Sequence, residues 1–330
     1  MVYKQPLKQK EFLMNLKGLF IQNGYSKNGK IQATNLTLDQ IKCLEKKKIN
    51  LDLLVTSKIY LPFNFFNFLL KISKLKRLSN YDFLHFQYGS LLGFLGVFLN
   101  HRNKIISICG SDLIPNNKNL KSYIPVIFTK LSIPFYDKII VKSPNLKNEI
   151  KAKYHHKVVI IPNGVDTDFF NERIIEKKRK KFKIVFHEGQ NNKPIKNLPL
   201  ALKTIKSLSE NNLDISFRKF SNKTRNEVKE ILQSADCLLV TSLHEGSPNI
   251  VKEALSVNTP VVSVDCGDVK ERLKNVNKGG VSSKYDYKEL SNLISRVYYS
   301  KDKFNGREIL LSQGIDSDTT AGKLIELYKL

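Results

Sequence analysis

The sequence predicts an α/β protein built from two parallel, doubly wound sheets. Three observations predict it. Short apolar runs alternate with longer amphipathic segments, the pattern of strands and crossover helices. The alternation breaks at a highly charged stretch, residues 171–182, and then starts again. At 330 residues and 41% hydrophobic content, the chain is long and apolar enough for two ordinary cores.

The elements follow in order. Residues 1–13 read as a ragged leader, with Met14 as an alternative start. Leu16 to Gln22 reads as a first buried strand, ended by Asn23-Gly24. A polar loop follows, bracketed by Gly24 and Gly29, whose backbone can approach a ligand closely. Thr37 to Lys48 carries Leu38, Ile41 and Leu44 on one helical face, and Leu51 to Thr56 is a second strand. Tyr60 to Leu78, apolar and then basic, reads as either an interfacial helix or a core-facing one. Asp82 to Phe86, Lys104 to Cys109, Lys138 to Val141 and Val158 to Ile161 read as strands, with a buried helix at Leu91 to Leu99.

After the charged stretch come strands at Lys183 to His187, Asp214 to Arg218, Cys237 to Thr241 and Pro260 to Val264. Helices are expected at Leu198 to Leu208, Thr224 to Gln233, Pro248 to Val257 and Thr319 to Leu330. The domains read as 1–164, 165–317 and a terminal helix, 318–330, returning to the first domain.

Charge is uneven. Residues 1–160 carry 26 Lys/Arg against 8 Asp/Glu, and residues 161–330 carry 29 against 22. Coding bias explains many lysines but not their concentration in one half. An anionic membrane surface or lipid phosphate fits that half better than nucleic acid does. None of the four cysteines lies at C-x-x-C spacing, which argues against a zinc or redox motif and for a reducing, cytoplasmic setting. Met1 to Lys10 lacks an apolar signal core, and no apolar run is long enough to span a bilayer.

The chemistry concentrates around Leu238 to Glu253. A buried strand ends in His244-Glu245-Gly246-Ser247-Pro248. Ser247 reads as a helix N-cap and Pro248 as the first helical residue, leaving the amides of Asn249, Ile250 and Val251 for an anion such as a diphosphate. Ordinary capping explains that much. It does not explain Glu245 and Glu253, carboxylates suited to the vicinal hydroxyls of a sugar and a ribose. Glu253 also reads as a solvated helix residue, Lys196 as one surface lysine among many, and His85 as a structural histidine. Asp166-Thr167-Asp168 has the spelling of a metal motif but reads as a turn, so no metal site is expected.

The run HEGSPNIVKEALSVNTPVVSVDCGDVKE resembles the hallmark of glycosyltransferase family 4. IIPNGVDTDFF and IVFHEGQNNKPIKNLPLALKTIKSL resemble that family farther upstream, and DFLHFQYG, ISICGSDL and IIVKSPNLK resemble its acceptor domain. The resemblance implies a GT-B fold, two Rossmann-like domains facing each other across a cleft. It also implies retaining sugar transfer from a nucleotide-diphosphate sugar to a saccharide or lipid-linked acceptor, without metal or other cofactor, in cell-surface polysaccharide synthesis.

By the same resemblance, Glu245 contacts the donor sugar, Glu253 the ribose, and the backbone amides from Ser247 to Val251 the diphosphate, with Gly246 and Pro248 also in the donor site. Lys196 neutralises charge on the leaving group, beside Gly189 and Lys193. Gln190 stands where the family usually has arginine, and Cys109, before Gly110, where many members have histidine. Asp112, counted as catalytic with Glu245 and Lys196, or His85 is the candidate to compensate on the acceptor side. Two other readings remain open: a non-catalytic binding relative, attached to a membrane or not, and a sugar-nucleotide epimerase.

Overall fold

The structure, a computed structural model, describes residues 16–27, 30–56, 78–115, 119–172, 181–189 and 193–329. The expected leader with Met14, Gly29, the segment from Tyr60 to Arg77 and the Gln190-Asn191-Asn192 turn lie outside the described residues. Two compact units are present: Met1–Pro162 with Ser317–Leu330, and Asn163–Asp316.

In the first unit, six parallel strands form one sheet. They are β1 (Lys17–Asn23), β4 (Asn50–Thr56), β5 (Phe83–Gln87), β6 (Lys104–Ile108), β7 (Lys138–Val141) and β8 (Val158–Ile160), in the order β4-β1-β5-β6-β7-β8. A small antiparallel hairpin, β2 (Tyr25–Lys27) with β3 (Lys30–Gln32), occupies what reads in sequence as a plain loop. Side chains alternate across the sheet, as the two-residue strand period requires. Leu19, Ile21, Leu84, Phe86, Ile106 and Ile139 enter one core, and Phe20, Phe83, Ile105 and Ile140 the other.

That second core is closed by the helix Ser317–Tyr328, which contributes Ala321, Leu324, Ile325 and Tyr328. The Tyr328 ring stacks on Phe83 with centroids 3.9 Å apart, and its hydroxyl meets His85 Nδ1 at 2.8 Å. Ser107 Oγ meets the other ring nitrogen, also at 2.8 Å. His85 is therefore a fully buried, doubly bonded core residue, in keeping with its reading as a structural histidine and against its reading as an acceptor contact. A strand-end position suggested solvent; in fact its side chain turns beneath the C-terminal helix.

The second unit has five parallel strands: β9 (Phe182–His187), β10 (Ile215–Phe220), β11 (Cys237–Val240), β12 (Val261–Val264) and β13 (Gly279–Ser282). Their order is β10-β9-β11-β12-β13. The chain runs outward from β9 to β10 and then returns to place β11 on the other side of β9. That reversal opens a crevice at the carboxyl ends of β9 and β11, where ligands of open α/β sheets bind. Where the chain enters and leaves this unit, Val165 pairs with Asp316.

Two helices depart from expectation. Leu91 to Leu99 is a helix only over Ser90–Leu95 and then tightens to a 3-10 turn, Gly96–Phe98. Gly96 lies against the Tyr136 hydroxyl and the Phe86 ring, where a Cβ would come within 2.2 Å. Leu120–Ser132 is a helix not among the expected elements, although Leu120, Ile124, Ile127 and Leu131 recur at helical spacing; Pro125 lies inside it.

Burial, and secondarily the Lys142 cation, holds His85 well below its ordinary pKa of 6.5. The unfolded chain therefore takes up this proton first as pH falls, so the stabilisation is complete above 6.5 and is lost below it. Denaturation midpoints of the first unit should fall between about pH 7 and about pH 5.5, by up to about 1.4 kcal/mol per pH unit for one histidine. The slope should flatten in His85→Gln; an unchanged slope in that variant would contradict the assignment.

Candidate functional site

The crevice of the second unit is built from two strand ends. β9 ends at His187, and Gly189 follows with φ of 74°, a left-handed turn that glycine adopts without strain. A short 3-10 turn, Pro194–Lys196, then leads through left-handed Asn197 into the helix Leu198–Glu210. The turn is fastened to the end of β11. Buried Thr241 shares its hydroxyl between the carbonyls of Lys196 (2.8 Å) and Asn197 (3.0 Å), and the Leu243 amide donates to Ile195 O at 2.8 Å.

This fastening brings the Lys196 ammonium onto the Glu245 carboxylate, an ion pair with side chains only 15% and 20% exposed. His187 lies beside it. Burial first, then the Lys196 and Lys193 cations, push its pKa down to about 4 against the opposing pull of Glu245. The imidazole is therefore neutral at physiological pH. Its Nδ1 has no hydrogen-bond partner among the described residues.

The next turn is packed backbone to backbone. Gly267, with φ of 62°, lies so close that a Cβ there would come within 2.8 Å of Gly246 O. Any side chain at Gly267 would displace the Glu245-Gly246 peptide.

The helix after this turn spans Asn249–Ser256. Pro248, not Ser247, is its N-cap, and no side chain caps it. The Ser247 hydroxyl instead donates to Asp268 Oδ2 at 2.8 Å and accepts from Lys252 Nζ at 3.1 Å. Two buried charges on either side leave it no freedom to cap. The Val251 amide bonds to Pro248 O at 3.2 Å, so it is not available to a ligand as expected. The amides of Asn249 and Ile250 have no acceptor among the described residues.

Glu253 is half-buried on this helix. Lys252, 1% exposed, donates to Asn163 O at 2.8 Å and so ties the helix to the start of the unit. Asp268, equally buried, also meets Arg272 at 3.2 Å. Burial raises its pKa against the pull of Lys252 and Arg272. Nothing in the sequence separated Lys252 or Asp268 from the many surface charges.

In the first unit, the expected acceptor-side residues divide. Gly24 follows β1 and donates to Thr56 O. Cys109 and Gly110 form the turn after β6. Asp112 is fully buried, and its carboxylate accepts from the amides of Gly89 (2.9 Å), Cys109 (3.0 Å) and Gly110 (2.7 Å). Those bonds correct its reading as a catalytic residue: it clamps the turns after β5 and β6 together. Lys142, missed in sequence, lies buried at the end of β7. Burial lowers its pKa against the charges of Cys109 and Asp112. An unbroken apolar strand ending in Lys-Ser-Pro was the available signal.

Asp166 receives the Phe169 amide at 3.0 Å and pairs with Arg225 at 3.1 Å, the behaviour of a turn residue. No group of three potential metal ligands occurs among the described residues.

Replacing Asp112 by Ala leaves three amides without their acceptor. The expected cost is roughly 3 kcal/mol, read as a lower denaturation midpoint. A midpoint like the parent's would show that the clamp contributes nothing.

Comparison with known proteins bears on the family and the fold. The family model described as Glycosyl transferases group 1 matches residues 203–306, and Glycosyltransferase Family 4 matches residues 45–169. No curated protein sequence matches significantly. Among solved structures, sucrose-phosphate synthase from Thermosynechococcus elongatus superposes with a TM-score of 0.73 at 14% identity, covering 96% of this chain and 98% of that one. A glycosyltransferase from Rickettsia africae gives 0.68 at 14%, covering 95% and 98%. Anabaena HepE in complex with UDP and glucose gives 0.64 at 14%, covering 96% and 100%. At such identities these structures speak for the fold, which is GT-B. With a glycosyltransferase model matching in each unit, the chain belongs to the group 1 and family 4 type of glycosyltransferases.

Proposed function

We propose that the second unit holds a nucleotide-diphosphate sugar and that the first unit offers it a hydroxyl of a saccharide or lipid-linked saccharide. The single observation that carries this reading is the Lys196–Glu245 pair at the reversal of the second sheet. A cation and a carboxylate at that point suit the two halves of such a donor. Lys196 stabilises charge gathering on the leaving diphosphate, helped by Lys193 and by the amides of Asn249 and Ile250. Glu245 accepts hydrogen bonds from the sugar, and Glu253 from the ribose.

The transfer proceeds with retention. The acceptor oxygen attacks from the face the diphosphate is leaving, the new glycosidic bond forms as the sugar–phosphate bond breaks, and a diphosphate oxygen takes the proton. Lys196 supplies the positive charge, so the reading includes no metal ion. Turnover unchanged by a chelator is expected.

The setting proposed is cell-surface polysaccharide synthesis on the cytoplasmic face of a membrane. No helix among the described residues is long and apolar enough to cross a bilayer. The concentration of positive charge in residues 1–160 supports a peripheral position beside anionic lipid.

A second reading is binding without transfer. It is favoured by Cys109, which stands where many family members have histidine, and by the withdrawal of Asp112 into backbone bonds. A panel of nucleotide sugars, assayed for both binding and hydrolysis, separates the two. Turnover with any donor supports transfer; binding throughout with no turnover supports the second reading.

Lys196→Ala and Glu245→Ala should each lower turnover by at least about 100-fold. Glu245→Gln should divide binding from chemistry. It releases Lys196 from its carboxylate, so a nucleoside diphosphate should bind at least as tightly while turnover falls. Parent-like turnover in all these variants would refute the site.

A further inference from the structure

We infer that the helix Leu120–Ser132 is a docking surface for an anionic lipid bilayer. Its inner side is accounted for. Val126, Thr129 and Ser132 are buried, and Thr129 Oγ1 accepts from the Ser90 amide at 2.6 Å. Its outer side is apolar as well. Leu120, Ile124, Ile127 and Leu131 are exposed, from 51% for Ile124 to 81% for Leu120. At about 100° per residue these four fall within an arc of about 60°, directly away from the buried face.

Further apolar side chains lie beside the helix. Phe135, in the following turn, is 55% exposed. Phe128 meets Phe94 at 5.2 Å, and Phe94 meets Phe98 at 5.6 Å, itself 72% exposed. Exposed apolar side chains gathered in this way on the outside of a protein mark an interaction surface.

Charge identifies the occupant. Lys121 and Lys130 stand about 90° to either side of the stripe, as cations flank the apolar face of a helix lying in a membrane interface. Lys157 joins them, donating to the carbonyls of Pro134 (3.2 Å) and Tyr136 (3.0 Å) beside Phe135. No Asp or Glu occurs between Leu113 and Tyr136. A second copy of the chain would have to set these lysines against their equivalents, with a net charge of +25 on each chain. Lipid phosphates complement them instead. The apolar side chains enter the acyl boundary while the lysine ammoniums remain at the headgroups.

This inference places on a specific surface the membrane position proposed above, and its test reads attachment alone, independent of transferase activity. The full chain is sedimented with vesicles of phosphatidylcholine containing roughly a quarter phosphatidylglycerol, and with phosphatidylcholine alone. Binding is expected to the anionic vesicles only, to weaken with salt, and to fall at least about tenfold in Ile127→Glu and Leu131→Glu. Lys121→Gln with Lys130→Gln should weaken it less.

Both glutamates lie on the exposed face, so thermal midpoints should stay at the parent's value. Four results overturn the inference: no vesicle binding, equal binding to neutral vesicles, binding indifferent to both glutamates, or a dimer in solution that the glutamates dissociate. A marked fall in midpoint with vesicle binding retained would show that the chain itself covers this face, and would overturn it too.

Discussion

Lys196 reaches Glu245 because three backbone-directed bonds hold the turn after β9 against the end of β11. Two come from the Thr241 hydroxyl and one from the Leu243 amide. The rest of the site depends on that fastening. It sets a cation and a carboxylate side by side at the one place where a doubly wound sheet leaves a crevice. Burial, and secondarily the Lys196 and Lys193 cations, holds the pKa of the adjacent His187 at about 4. A neutral imidazole there adds no charge of its own, so the electrostatics toward a diphosphate are set by the lysines.

A second set of charged groups holds the turn before the helix Asn249–Ser256. Lys252, Ser247, Asp268 and Arg272 form one chain of contacts around two buried charges, Lys252 and Asp268, and Lys252 ends it on the Asn163 carbonyl. Buried ions hold their places only when paired and hydrogen-bonded, so such a network fixes geometry more than it adds stability. Here it fixes the first turn of the helix Asn249–Ser256 and thereby the direction of the Asn249 and Ile250 amides. Glycine at position 267 completes the arrangement by letting a second loop touch the Gly246 carbonyl.

Much of this was legible in the sequence, because strand–turn–helix alternation and the spacing of Glu245 and Glu253 are local patterns. What sequence reasoning missed is non-local. Ser247 followed by Pro248 has every local mark of a cap. Its hydroxyl is taken by Asp268, 21 residues along, which no spacing rule anticipates. Asp112 looked like an acid poised after a glycine, yet amides from two different turns converge on it. For His85 the sequence left a structural and an acceptor-side reading open, and only a helix from the far end of the chain decides for the structural one. Lys252 is one lysine among 46, and only the fold shows that it is buried. The helix Leu120–Ser132 escaped notice although Leu120, Ile124, Ile127 and Leu131 recur at helical spacing, because Pro125 inside it has the local mark of a helix breaker.

The central claim is that Lys196 and the first turn of the helix Asn249–Ser256 receive the diphosphate of the donor. The most direct measurement is a crystal structure with the nucleoside diphosphate that turnover assays select. The account predicts phosphate oxygens within hydrogen-bonding distance of Lys196 Nζ and of the Asn249 and Ile250 amides, with Glu253 at the ribose. A diphosphate bound elsewhere, with the Lys196–Glu245 pair undisturbed, would contradict it.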